Sequence, residues 1–196
     1  MSGAIVGDDG LARCPWGDAP ADMRRYHDDE WGGPIRGDRP IFERLSLEGF
    51  QSGLSWLTIL RKRDNFRAAF ADFDSSVVAQ YDEADIQRLL ADTGIVRHRG
   101  KIEAVIANAQ VLTDWQRVEG EGVLDARVWA SAAPAARPPQ TLVDLPSSSA
   151  ESTALSRDLK RRGWRFLGPT TAYAALQAIG VVNDHLAGCH VRERTR

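Results

Sequence analysis

Apolar positions along the chain recur mostly at helical intervals, and no segment shows the strict alternation of a half-buried strand. Ile102, Val105, Ile106, Ala109 and Leu112 follow one another at steps of three, one, three and three, the spacing of one helix face. Polar punctuation agrees with this periodicity. Asp82 stands as an N-cap before Ile86, Leu89 and Leu90, with Thr93-Gly94 as the stop. Ser147 to Ser149 offer N-caps for a charged helix carrying Leu155 and Leu159 and ending at Gly163. Gly168-Pro169 opens another helix through Tyr173, Leu176 and Ile179, ended by Gly180. The expected fold is all-α. The stretch from Ser131 to Pro146, with four prolines, reads as the one long loop, and residues 1–12 as a flexible tail on a single domain spanning 1–196.

The segment from Asp38 to Trp56 carries the least ordinary pattern. Projected as one helix at ~100° per residue, it has an apolar stripe of Ile41, Phe42, Leu45, Gly49 and Ser52. Glu48 falls on the edge of that stripe and, on this projection, away from Arg44. A carboxylate there is costly without a partner, so Glu48 either joins a structural ion pair or waits in a pocket for a polar ligand. Gly49 and Gly53 would leave space beside it, with Trp56 as an aromatic wall. Tyr26, Trp31 and Trp16 form a second aromatic group; aromatic faces bind flat bases, although tryptophans also fill cores.

Composition adds limits rather than direction. At 196 residues, 43% hydrophobic and 27% charged, the chain suits one ordinary globular core. A net charge of −2 gives no global attraction to nucleic acid, but basic residues cluster at 61–67, 97–101 and 157–165 and could share one positive face. No apolar run approaches a membrane span and no signal peptide is evident, so a cytoplasmic protein is expected.

The chain has two cysteines, Cys14 and Cys189, each with a histidine at moderate spacing, His27 and His185. Thiolate and neutral imidazole are the donors of tetrahedral zinc, and four protein ligands leave no open position, so the inferred site is structural. The spacing of His185 and Cys189 would set both on one face of a helix. A disulfide, unrelated buried thiols or core histidines remain alternatives, with a disulfide disfavoured in a reducing compartment. Residues 82–109 read as helix, short turn with Gly94 and Gly100, then helix; Arg97, His98, Arg99 and Lys101 add positive charge beside a helix N-terminus, which suits a DNA phosphate. An ordinary helical corner would look the same.

Taken in order, Arg13-Cys14 with Trp16, YHDDEWG, LEGFQSGLSW, TGIVRHRGKI, LKRRGWRFLG and VVNDHLAGC resemble the bacterial 3-methyladenine DNA glycosylase I family of the helix-hairpin-helix superfamily, over about residues 13–189. The resemblance implies a helix-hairpin-helix glycosylase-like fold with a structural zinc, one per chain, on Cys14, His27, His185 and Cys189. It implies a base pocket of Tyr26, Glu48 and Trp56 with Trp16 and Trp31 nearby, Glu48 being the catalytic candidate. Backbone contacts to alkylated double-stranded DNA would come from Gly94, Arg97, Arg99, Gly100 and Lys101. The implied activity is monofunctional hydrolysis of the N-glycosidic bond of 3-methyladenine by base flipping, in a cytoplasmic monomer without a membrane partner. Where family members carry a pocket tyrosine this chain has Met23. A non-catalytic damage-binding module and a zinc hydrolase are the competing classes; free base released from methylated duplex separates the first, chelator treatment the second.

Overall fold

A computed structural model describes residues 3–133 and 137–195. Within the described residues the chain is almost wholly helical: α1 (Ala21–Asp29), α2 (Asp38–Gln51), α3 (Trp56–Ala69), α4 (Ser75–Val78), α5 (Glu83–Ala91), α6 (Arg99–Glu119), α7 (Val123–Trp129), α8 (Ala150–Arg161) and α9 (Pro169–Ile179). The caps expected from sequence form. Asp82 and Asp85 make a reciprocal capping box on α5, Ser149 caps α8, and Gly180 ends α9 in the left-handed conformation. None of these helices is long and apolar enough to cross a membrane.

Helix α2 is the hub. It packs against α3, α6, α7 and α9, and Ile41, Phe42, Leu45, Leu47 and Phe50 along it are all buried. Its amide dipoles end beside a cation: the Lys101 ammonium donates to the carbonyls of Phe50 and Ser52 at 2.8 and 2.6 Å.

Three expectations are corrected. Residues 38–56 are not one helix, because Gly53 adopts φ +82° and Ser55 caps a new helix at Trp56 through the Thr58 amide. Residues 5–6 pair antiparallel with 12–13 as a short ribbon, so the described part of the expected flexible tail is tied to the body. His185 and Cys189 lie after α9 on a turn around Ala187-Gly188, not on a helix. The proline-rich loop is pinned by a capping box of Thr141 and Asp144 and by the Ala187 amide bonding Pro139; its Pro134 lies outside the described residues.

Candidate active site and metal centre

Helix α1 supplies two neighbouring side chains to two different places. His27 turns toward the chain ends, where Cys14, His185 and Cys189 meet it with all four ligand atoms within 4.8 Å of one another and all four residues buried. Cys189 Sγ lies 3.4 Å from His27 Nε2 and 3.5 Å from His185 Nδ1, and Cys14 Sγ lies 3.8 Å from the same Nδ1. The remaining ring nitrogens are spoken for. His27 Nδ1 bonds Asp28 Oδ1 at 2.7 Å, and His185 Nε2 bonds the Trp31 carbonyl at 3.0 Å. Each outer acceptor holds the ring N–H and turns a lone pair inward, as a metal-ligating histidine requires. Hydrogen bonding to Cys189, with burial behind it, pushes the Cys14 thiol up, while the bond to Cys14 pulls Cys189 down. The cluster therefore has the donors, tautomers and spacing to hold a metal ion.

Asp28 is itself clamped. Arg13, although buried, spans Asp28 and Asp9 with ion pairs of 2.7 Å each. Burial would raise the Asp28 carboxyl, yet its bonds from Arg13 and His27 hold it below the usual carboxylate range.

Tyr26 turns the other way, into a cavity of about 290 Å³ lined by Trp16, Met23, Trp31, Glu48, Gln51, Trp56, Leu145, Ala174 and Gln177. Tyr26 and Trp56 have ring centroids 5.2 Å apart. Trp16 and Trp31 stand edge to face at 4.9 Å and pack in turn on the rings of His27 and His185, so the Cys/His cluster props one wall of the cavity. The five aromatic and acidic residues singled out by sequence thus surround one space. Leu145 brings the proline-rich loop into that wall, which the sequence did not suggest.

Glu48 sits in the cavity with 5% of its surface exposed. No hydrogen bond or ion pair meets its carboxylate among the described residues. Burial pushes its pKa up to about 7, partly opposed by the Arg44 charge. The projection that set Glu48 away from Arg44 is corrected here: one helical turn separates them. Arg44 is buried, donates to the Tyr26 hydroxyl at 2.9 Å and lies 5.2 Å from the Trp56 ring centroid. Gly49 does not open the cavity; a Cβ there would lie 3.4 Å from the Phe166 carbonyl.

Helices α5 and α6 are joined by a turn that holds Gly94, while Gly100, expected in that turn, is the second residue of α6, which His98 caps through the Lys101 amide. The charges of this hairpin are unequal. Arg97 is exposed, whereas Arg99 is engaged by Glu83 and Glu103 at 2.8 and 3.2 Å. Lys101 is buried and committed to the end of α2, which corrects its assignment as a phosphate contact. Within the basic clusters Arg61, Arg63, Arg67, Arg161 and Arg162 are ion-paired, whereas the exposed Arg157, Lys160 and Arg165 have no ion pair among the described residues.

Comparison with known proteins points one way. Residues 16–193 match the methyladenine glycosylase family model. DNA-3-methyladenine glycosylase 1 of Escherichia coli is 44% identical over 181 residues, covering 91% of this chain and 96% of that protein. A Staphylococcus aureus 3-methyladenine DNA glycosylase I, solved to explain 3-methyladenine recognition, superposes with a TM-score of 0.86 at 35% identity, over 92% of this chain and 96% of that one. A single-site variant of 3-methyladenine DNA glycosylase I in complex with 3-methyladenine gives 0.85 at 34%, over 92% and 97%.

Proposed function

The chain belongs to the methyladenine glycosylase family, and we propose that it is a monofunctional DNA-3-methyladenine glycosylase, a single-domain monomer acting on alkylated duplex in the cytoplasm during base excision repair. The observation that carries this is Glu48, a buried carboxylate without a protein partner in an aromatic-walled cavity. An adenine alkylated at N3 is cationic and flat. Tyr26 and Trp56 offer faces to stack on it, and Glu48 offers a negative acceptor to its polar edge. The C1′–N9 bond then breaks with its electron pair going to the base, which leaves neutral, and water adds to the cationic C1′ and gives up a proton to solvent.

The turn between α2 and α3 exposes Leu54 between the cavity residues Gln51 and Trp56. An apolar side chain there is placed to fill the gap a flipped nucleotide leaves. The α5–α6 hairpin, in helix-hairpin-helix manner, would hold a phosphate through the N-terminal end of α6, with Gly94 and Gly100 allowing close approach and Arg97 and Arg99 flanking it.

The Cys2His2 cluster fits zinc. A tetrahedron with Zn–S of ~2.3 Å and Zn–N of ~2.0–2.1 Å has S···N edges of about 3.5 Å, against 3.4, 3.5 and 3.8 Å here. Bound there, zinc supplies no chemistry beyond cross-linking the chain ends, since four side chains occupy every tetrahedral position. That argues against a zinc hydrolase. The test of function is release of free 3-methyladenine from methylated duplex by the purified protein; no release above the spontaneous rate would refute it.

A further inference from the structure

Gln177 lies on α9, one turn from Ala174, and both line the cavity opposite no charged partner of their own element. Its amide is not free to turn. Gln177 Nε2 donates to Asp184 Oδ2 at 2.7 Å, and the Tyr173 hydroxyl donates to the same oxygen at 2.6 Å. Turning the Gln177 amide over would set its carbonyl oxygen against a carboxylate oxygen, so the network fixes which end of the amide faces away from Asp184. That end is Oε1, a pure acceptor with no hydrogen-bond partner among the described residues. Nothing about the fold requires it to stay unpaired.

We infer that Gln177 is a base-reading residue whose carbonyl oxygen, held by Asp184 and Tyr173 as positioning residues, accepts from the exocyclic amino group of the flipped purine. The inference rests on the cavity being the pocket for an N3-alkylated adenine. Its consequence is specificity. A 6-amino group carries N–H donors, which two fixed acceptors, Glu48 and Gln177, can satisfy. Guanine presents a carbonyl oxygen at the same position, and a fixed acceptor facing it leaves two oxygens opposed. Discrimination between 3-methyladenine and 3-methylguanine is therefore assigned to the polarity of this immobilised amide acting together with the Glu48 carboxylate. An amide at the same place without Asp184 could present either end and would discriminate poorly.

The experiment measures single-turnover release of 3-methyladenine and 3-methylguanine from the same methylated duplex, with zinc content and melting temperature recorded for every protein. Gln177→Met keeps side-chain length and removes the strong acceptor. It is expected to slow 3-methyladenine release by roughly tenfold, the worth of one hydrogen bond left unmade, and to leave 3-methylguanine release unslowed or faster, because the opposed oxygen is gone. Asp184→Ala should erode the same preference by letting the amide turn. Asp184→Asn, which can keep an acceptor oxygen toward Tyr173 and Gln177, should restore it. A merely structural role would lower both rates together and would not distinguish Asn from Ala. Gln177→Met decides the matter if Asp184→Ala does not fold. Equal losses for the two bases, or an unchanged ratio, overturn the inference while leaving the pocket intact. Parental protein that releases no 3-methyladenine overturns the pocket assignment, and this inference with it.

Discussion

Tyr26 and His27 are adjacent on one helix and serve two sites with opposite hydrogen-bonding character. Around His27 the outer nitrogens of both histidines have acceptors, and Asp28 behind His27 is clamped by Arg13. Around Tyr26 the cavity leaves polar atoms wanting. Glu48 has no protein partner, the Trp56 indole N–H is buried without an acceptor, and the half-buried Gln177 accepts no protein hydrogen bond through Oε1. Buried polar groups are almost always satisfied, so the difference fits a site whose donors could close around a metal ion beside one left open to a ligand.

The hardest way to break this comparison is to take the ion away. Cys189→Ser, or removal of metal by a strong chelator, should cost at least about 4 kcal/mol, because the four ligands join residues near both chain ends. Urea titration followed by tryptophan fluorescence reads the loss. Metal-free protein with the parental midpoint and full activity would show that the cluster is only a set of buried thiols and histidines.

Glu48→Gln should do the reverse, giving a sound fold and a poor enzyme. The unfolded carboxyl titrates near 4.5 and the folded one near 7. Because the folded pKa is raised, ionisation is costly in the folded state. Stability is unaffected below about pH 4.5, falls as pH rises between the two values, and stays lowered above pH 7, by about 3 kcal/mol at most. The substitution should therefore stabilise the protein at pH 8 and leave it unchanged at pH 4. Excision of 3-methyladenine should drop ~10–100-fold, the worth of a charge-assisted hydrogen bond. A destabilised variant at pH 8 would mean that Glu48 has a structural ion partner after all.

How much of this was legible in the sequence follows from the range of each interaction. The caps of α5, α8 and α9 are local, and Asp82, Ser149 and Gly180 announced them. The Cys2His2 set and Glu48 were visible because buried donors and a carboxylate beside an apolar stripe are chemically conspicuous. The break before Trp56 was written in Gly53 and Ser55 and was overrun by a periodicity that continued across it. Lys101, Gln177 and Leu145 were illegible in their roles, because each depends on a partner brought near only by the folded chain.

A finer probe of the matched site is Asp28→Asn. It keeps the shape of the acceptor for His27 Nδ1 but removes its charge and weakens the clamp from Arg13. Changing the group that orients a metal-ligating histidine typically costs ~10–100-fold in metal affinity. Competition with a chromophoric chelator should show that loss, and excess zinc should restore the parental melting temperature. Unchanged affinity would mean that the histidine orientation is set by packing alone.

The smallest effects lie in the α5–α6 hairpin, where the same criterion separates two cations four residues apart. Arg97 is exposed and has no ion pair among the described residues, whereas Lys101 is buried and donates to the carbonyls of both Phe50 and Ser52. Arg97→Ala should leave stability within about 0.5 kcal/mol of the parent. It should weaken binding to methylated and unmethylated duplex alike and reduce the slope of log affinity against log salt by about 1, as loss of one phosphate contact does. Lys101→Ala should instead strand the Phe50 and Ser52 carbonyls at the end of α2 and lower stability by about 1–3 kcal/mol, while the salt slope holds. Glu48 lies on that same helix, only two residues before Phe50, so some loss of excision should accompany the loosened helix end in Lys101→Ala and not in Arg97→Ala assayed at saturating DNA. A reduced salt slope in Lys101→Ala with unaltered melting would return Lys101 to the DNA interface and show that a satisfied ammonium can still be released to a phosphate.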